Sequence, residues 1–166
     1  MKSVVFMGVA GCGKSSLGAA VAHALALPLI EGDDFHSEQS KEMMRNGVPL
    51  TDALRAGWLQ TLGQQLQAHP QGAVLTCSAL KRNYREVLRR HAPGLRFVFL
   101  SISPAEALRR VAARAGEHLF PTSLVDSQFA TLESPVGEAG VLAVDATLPL
   151  PRLVTDVTDW LSKDSA

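Results

Sequence analysis

A chain of 166 residues, 46% hydrophobic and 19% charged, is expected to form one globular domain spanning 1–166, with a real core. Its formal net charge is zero, so no global field argues for nucleic acid. No apolar run is long enough to span a bilayer, which excludes a membrane anchor of that kind.

The first predicted strand, residues 3–7, opens onto Gly8-Val9-Ala10-Gly11-Cys12-Gly13-Lys14-Ser15, and a helical pattern follows over 16–27. Strand, loop and helix form the context in which G-x-x-x-x-G-K-S carries meaning as a phosphate loop. The glycines let successive N–H groups turn inward toward phosphate oxygens, and the helix adds its positive dipole end. Gly8, Gly11, Cys12, Gly13, Lys14, Ser15 and Ser16 are therefore the predicted nucleotide-binding set. Lys14 is suited to reach the β- and γ-phosphates, and the Ser15 hydroxyl to ligate Mg²⁺.

A second strand is predicted over 28–31, parallel to the first, and Gly32-Asp33-Asp34-Phe35-His36 stands at its carboxyl end. Ligands in open α/β sheets sit at that end. Asp33 is the better candidate to hold water on Mg²⁺ or to accept a substrate proton, with an N-cap as the plainer role for it or for Asp34. His36 is equally readable as a substrate contact and as a surface residue.

Residues 37–46 read as a polar helix, and 53–68 as a helix capped by Thr51 or Asp52, with Leu54, Trp58, Leu59, Leu62 and Leu66 on its apolar face. Arg55 lies in the first turn, where a cation is disfavoured, so an anionic ligand or a surface ion pair is expected for it. A continuous apolar strand over 73–77 suits the sheet centre. No acid ends it, which shifts the support of Mg²⁺ to Asp33. A basic helix over 84–91 and a strand over 95–100 follow.

Ser103 and Pro104 open a helix running to about residue 114, with Arg109, Arg110 and Arg114 on its far half. The connection from there to a return helix over 122–132 would suit a lid closing over phosphate, about 110–128. A fifth strand over 141–145 and a closing helix over 151–161 complete the pattern. The fold class expected is α/β, a three-layer sandwich with a five-stranded parallel sheet, helices on both faces and a small helical lid. Cys12 and Cys77 are read as free thiols of a reducing compartment, because a bridge between them would obstruct the site. The chain enters its first strand with no charged-then-apolar leader, so the cytoplasm is the expected location.

These motifs together resemble the bacterial gluconokinases, of the thermoresistant gluconokinase type. They are small P-loop kinases related to shikimate kinase and the nucleoside monophosphate kinases. The resemblance spans nearly the whole chain, from the phosphate loop through Gly32-Asp33 and His36 to Pro49-Leu50, Asp52, Arg55 and Trp58-Leu59. Its most selective piece is Cys77-Ser78-Ala79-Leu80-Lys81-Arg82 with Tyr84-Arg85. Arg110, Arg114, Gly116 and His118 fit the lid, and Ser127-Gln128-Phe129 the stretch after it.

The resemblance implies ATP- and Mg²⁺-dependent phosphorylation of D-gluconate to 6-phospho-D-gluconate, and a homodimer. It implies Lys14, Asp33 and Arg114 as catalytic residues, Arg110 at adenine or phosphate, and Arg55 and Lys81 at the gluconate carboxylate with Tyr84 and Arg85 nearby. The acceptor-binding segment would span about 36–58. Ser37, Ser40, Met43 and Leu54 stand where the family usually has Pro, Asn, Lys and an acid, and Glu117 is an extra residue. Because these departures fall mainly in the acceptor segment, another acceptor such as shikimate, adenylyl sulfate or a related aldonate remains open. So does a nucleotide-binding regulatory paralogue without kinase activity.

Overall fold

The computed structural model describes residues 3–114 and 122–164. Five strands form one parallel sheet: β1 (Val4–Met7), β2 (Leu29–Glu31), β3 (Val74–Thr76), β4 (Arg96–Ser101) and β5 (Val141–Asp145), in the order β2-β3-β1-β4-β5. The first two strands are parallel but not neighbours, because β3 lies between them with Val74 opposite both Val4 and Leu29. That leaves β1 at the centre with its four residues buried, as a two-sided parallel sheet requires.

Strand alternation divides the core into two layers. Val4, Phe6, Val74 and Val98 face α1 (Lys14–Leu25), α5 (Pro104–Ala113), α6 (Ser123–Thr131) and α7 (Leu150–Asp164). Val5, Met7, Leu75 and Phe97 face α3 (Asp52–Gln67) and α4 (Arg82–His91). Trp58, Leu59, Leu62 and Leu66 supply the buried face of α3, as the 3–4 spacing predicts. The expected three-layer α/β sandwich is the observed fold.

The remaining helix, α2 (Glu38–Arg45), follows a short 3-10 turn over Gly32–Phe35. Its cap is Ser37, whose hydroxyl oxygen accepts from the Ser40 amide at 3.1 Å. Asp33 and Asp34 both lie in the 3-10 turn, so neither serves as the cap of that helix. Thr51 caps α3 and Ser103 caps α5, each accepting from an amide three residues on. The expected lid connection over 115–121, with Gly116, Glu117 and His118, lies outside the described residues.

Candidate active site

Gly11 and Gly13 take φ of 82° and 92°, which turns the loop between β1 and α1 back on itself. No side chain caps α1, so its first N–H groups keep their hydrogen-bonding capacity for an anion. The loop forms one wall of a cleft through Ala10, Gly11, Gly13, Lys14, Ser15 and Ser16.

Gly8 and Cys12 do not line that cleft. A Cβ at Gly8 would stand 2.8 Å from the Cys12 sulfur and 3.1 Å from the Leu100 carbonyl, so Gly8 is there for close packing. The Cys12 side chain is buried in the core, and its N–H donates to Val9 O at 3.2 Å within the loop. Cys12 and Cys77 are both free and buried, and desolvation pushes the Cys77 thiol up to about 12.

The carboxylate bonded to Ser15 is that of Glu31. Ser15 Oγ donates to Glu31 Oε2 at 3.1 Å, and Thr76 Oγ1 donates to the same oxygen at 2.6 Å. Glu31 and Thr76 are register partners of β2 and β3. Ile30 packs in the α3–α4 layer, so alternation turns the next residue, Glu31, toward α1. Where β3 lacks an acid, its threonine orients the acid of the neighbouring strand. The signal available in the sequence was parity along β2, and it becomes usable once β2 and β3 are known to be neighbours.

Asp33 lines the same cleft, and its exposed carboxylate lies 3.6 Å from His36 Nε2. His36 is buried and stacks on Trp58 with ring centroids 4.2 Å apart at 19°. Trp58 in turn donates from Nε1 to Gly32 O at 2.8 Å. A Cβ at Gly32 would come within 2.2 Å of Thr76 O, so only glycine lets the turn press against β3. His36 Nδ1 is buried and finds no partner among the described residues.

Arg55 reaches the cleft from α3, with Nη1 donating to Tyr84 Oη at 3.2 Å. Tyr84 Oη donates to Asp52 Oδ1 at 2.6 Å, and Lys81 Nζ lies 3.4 Å from that oxygen. The Tyr84 hydroxyl, then the Lys81 ammonium, hold the Asp52 carboxyl below its ordinary value. The structure thus brings Arg55, Tyr84 and Lys81 into one network, of which Arg55 forms part of the cleft wall.

Arg85 is elsewhere. Its guanidinium is fully buried, donating to Glu138 Oε1 and Oε2 at 3.1 and 2.7 Å and to the carbonyls of Ala79 and Glu133 at 2.7 and 2.9 Å. Buried with all three guanidinium nitrogens engaged, Arg85 anchors the backbone before α4 and is not a substrate contact.

Arg114 lines the cleft at the C-terminal end of α5. Arg110 braces the loop from outside, donating to Gly11 O at 3.3 Å and Ala146 O at 3.1 Å. The cleft is further lined by Met44, Pro49, Leu50 and, from α6, Leu124, Ser127 and Gln128. Met44, Leu50 and Leu124 are a small core of their own, with Met43 and Leu54 packed against it.

A family model described as AAA domain matches residues 4–135. The thermoresistant gluconokinase of Escherichia coli (strain K12) is 37% identical over 163 residues, 96% of this chain and 93% of that protein. The gluconokinase of Gluconobacter oxydans (strain 621H) is 44% identical over 145 residues, 85% of this chain and 80% of its own length.

The chain belongs to the gluconokinase family.

The crystal structure of a gluconokinase from Sinorhizobium meliloti 1021 superposes with a TM-score of 0.86 at 42% identity, over 99% of this chain and 98% of that one. A shikimate kinase from Aquifex aeolicus, at 14% identity and a TM-score of 0.62, shares the fold alone. Within the gluconokinase family, the departures at Ser37, Ser40, Met43 and Leu54 now have physical accounts. Ser37 caps α2, Ser40 is the buried partner of that cap, and Met43 and Leu54 flank the apolar core under the cleft.

Proposed function

We infer that this protein transfers the γ-phosphoryl group of ATP to D-gluconate, giving 6-phospho-D-gluconate. The observation that carries the reading is one cleft joining two halves. The phosphate loop with Lys14 and Arg114 stands on one side, and Asp33, His36 and Arg55 on the other. A small polyhydroxy acid is the acceptor such a wall suits, with a carboxylate for Arg55 and hydroxyls for Asp33 and His36.

The roles follow from chemistry. The Asp33 carboxylate accepts the proton of the acceptor's primary hydroxyl as its oxygen bonds to the γ-phosphorus. The bond from that phosphorus to ADP breaks, and its electron pair leaves with the β-phosphate. His36, held flat on Trp58, keeps Asp33 oriented. Lys14 and Arg114 spread charge over the equatorial oxygens, and the α1 N-terminus holds the phosphates in line. Arg55 anchors the far end of the acceptor. Arg110 steadies the loop beside the nucleotide.

Mg²⁺ fits this site. Ser15 Oγ and Glu31 Oε2 are hard oxygen donors side by side, and Mg²⁺ favours one or two carboxylates plus substrate phosphates over an all-protein cage. No cluster of three His, Cys, Asp or Glu side chains able to hold an ion occurs among the described residues. When bound, the ion neutralises charge on the β- and γ-phosphates. With this reading go a cytoplasmic enzyme and the homodimer that the family resemblance implies. No helix among the described residues is long and apolar enough to cross a membrane.

The test is ADP release over a panel of acceptors, comprising gluconate, other aldonates, shikimate and adenylyl sulfate. Release with gluconate that falls about 10²–10³-fold in Lys14→Ala is expected, as for loss of one preorganised donor. Release with shikimate and with no aldonate would overturn the acceptor. ATP binding with no acceptor-dependent release would instead indicate a regulatory paralogue.

A further inference from the structure

Helix α6 touches the phosphate loop through one side chain. The Ala10 N–H donates to Gln128 Oε1 at 2.7 Å, across 118 residues of sequence. Because the donor is a backbone N–H, the carboxamide oxygen must face the loop, which leaves the NH₂ group as the free end. Gln128 Nε2 donates to no described residue and is not a buried orphan, and Gln128 lines the cleft beside Ala10, Lys14 and Arg114. A donor fixed to the loop that cradles the phosphates is placed for an anionic oxygen. One turn earlier on the same helix, Leu124 packs with Met44 and Leu50 of the acceptor wall. Gln128 thus stands on the element shared by the two halves of the cleft.

We propose that Gln128 is a catalytic residue whose carboxamide oxygen is held by Ala10 N–H while its Nε2–H donates to a non-bridging oxygen of the transferred phosphoryl group. This rests on the phosphotransfer reading, in which the γ-phosphorus passes from the β-phosphate oxygen of ADP to the acceptor hydroxyl. The preorganised donor costs no reorganisation during transfer, because the Ala10 bond sets its direction beforehand. It distinguishes a triphosphate from a diphosphate, since only the former presents that oxygen.

Two variants separate contact from scaffold. Gln128→Met keeps the volume and removes both polar ends. Gln128→Glu keeps an acceptor for Ala10 N–H and places an anion where the donor was. Calorimetric titration with ADP and with a non-hydrolysable ATP analogue, each with Mg²⁺, is compared with turnover on gluconate, and melting temperatures verify folding. The expected result is ADP affinity within about threefold of the parent in both variants. Analogue affinity falls about tenfold or more in Gln128→Glu through like-charge repulsion. Turnover falls about 10²–10³-fold, with KM for gluconate little changed. Equal loss of ADP and analogue affinity would reduce Gln128 to a brace for the loop. Unchanged turnover, or tighter nucleotide binding, would overturn the proposal outright. If Gln128→Met fails to fold, Gln128→Glu still decides, since it retains the Ala10 bond. Should the parent enzyme ignore gluconate, the acceptor reading fails while the two nucleotide titrations still decide Gln128.

Discussion

Glu31 and Arg85 exchange the parts that local sequence suggests for them. Arg85 lies in the most selective motif of the chain, and a cation in a kinase motif invites a substrate role. Its burial against Glu138 comes from residues 53 positions away, which no local pattern contains. Glu31 reads as the polar end of a short strand, yet it is the carboxylate bonded to Ser15. Glu31→Gln keeps an oxygen for Ser15 and Thr76 but removes the charge. The Mg²⁺ concentration giving half-maximal turnover is expected to rise about 10–100-fold, as for loss of a group that supports a metal ligand. Calorimetry with ADP in chelator should show unchanged affinity. An unaltered Mg²⁺ dependence would show that Glu31 is only a strand-end hydrogen-bond acceptor.

Among elements, the wall proposed to face the acceptor is the part whose sequence leaves the family pattern, and it is internally consistent. Met43 from α2 and Leu54 from α3 pack against Met44, Leu50 and Leu124, which ties the wall to α6. An apolar contact has replaced positions usually occupied by a cation and an acid, and hydrophobic substitution of that kind is often neutral for stability. Leu54→Asp would set a charge against this small core. KM for gluconate is expected to rise about tenfold, in the range of one buried-contact loss, with KM for ATP little changed. Steady-state kinetics with each substrate varied in turn would check it. An equal rise in both constants would show that the wall is not specific to the acceptor. Helix positions and caps here were legible in advance, because Thr51, Ser103 and the 3–4 apolar spacing are local signals. The Ser37 cap was not, since two aspartates just before it offered the same chemistry.

For the whole molecule, the Arg85–Glu138–Arg89 cluster joins α4 to the segment before β5 and makes stability depend on pH. Burial alone would raise the Glu138 carboxyl, but hydrogen bonds from Arg85 and then Arg89 outweigh it and hold the group below its ordinary value. A carboxyl depressed on folding contributes stability above its unfolded pKa of about 4.3 and loses it as pH falls through the folded value. Glu138→Gln should therefore cost about 2 kcal/mol at neutral pH, the scale of a charge-assisted hydrogen bond. The gap from the parent should begin to narrow as pH falls past about 4.3 and close only once pH has fallen through the depressed folded value, where both side chains are uncharged. Urea unfolding of the two proteins at several pH values measures this. A gap independent of pH would mean the cluster contributes by shape and not by charge.

The sequence by itself determined the layered α/β architecture, the phosphate loop, the general position of Asp33 and the family, since each rests on short-range spacing or a contiguous motif. Only the tertiary structure decided which carboxylate meets Ser15, that Arg85 is structural, that Gly8 and Cys12 pack beneath the loop, and that Gln128 reaches Ala10. Each of these depends on strand order, on the parity of a side chain across a sheet, or on a contact between distant segments. Those are set by how the layers pack, a choice made jointly by the whole core and written in no single stretch of the chain.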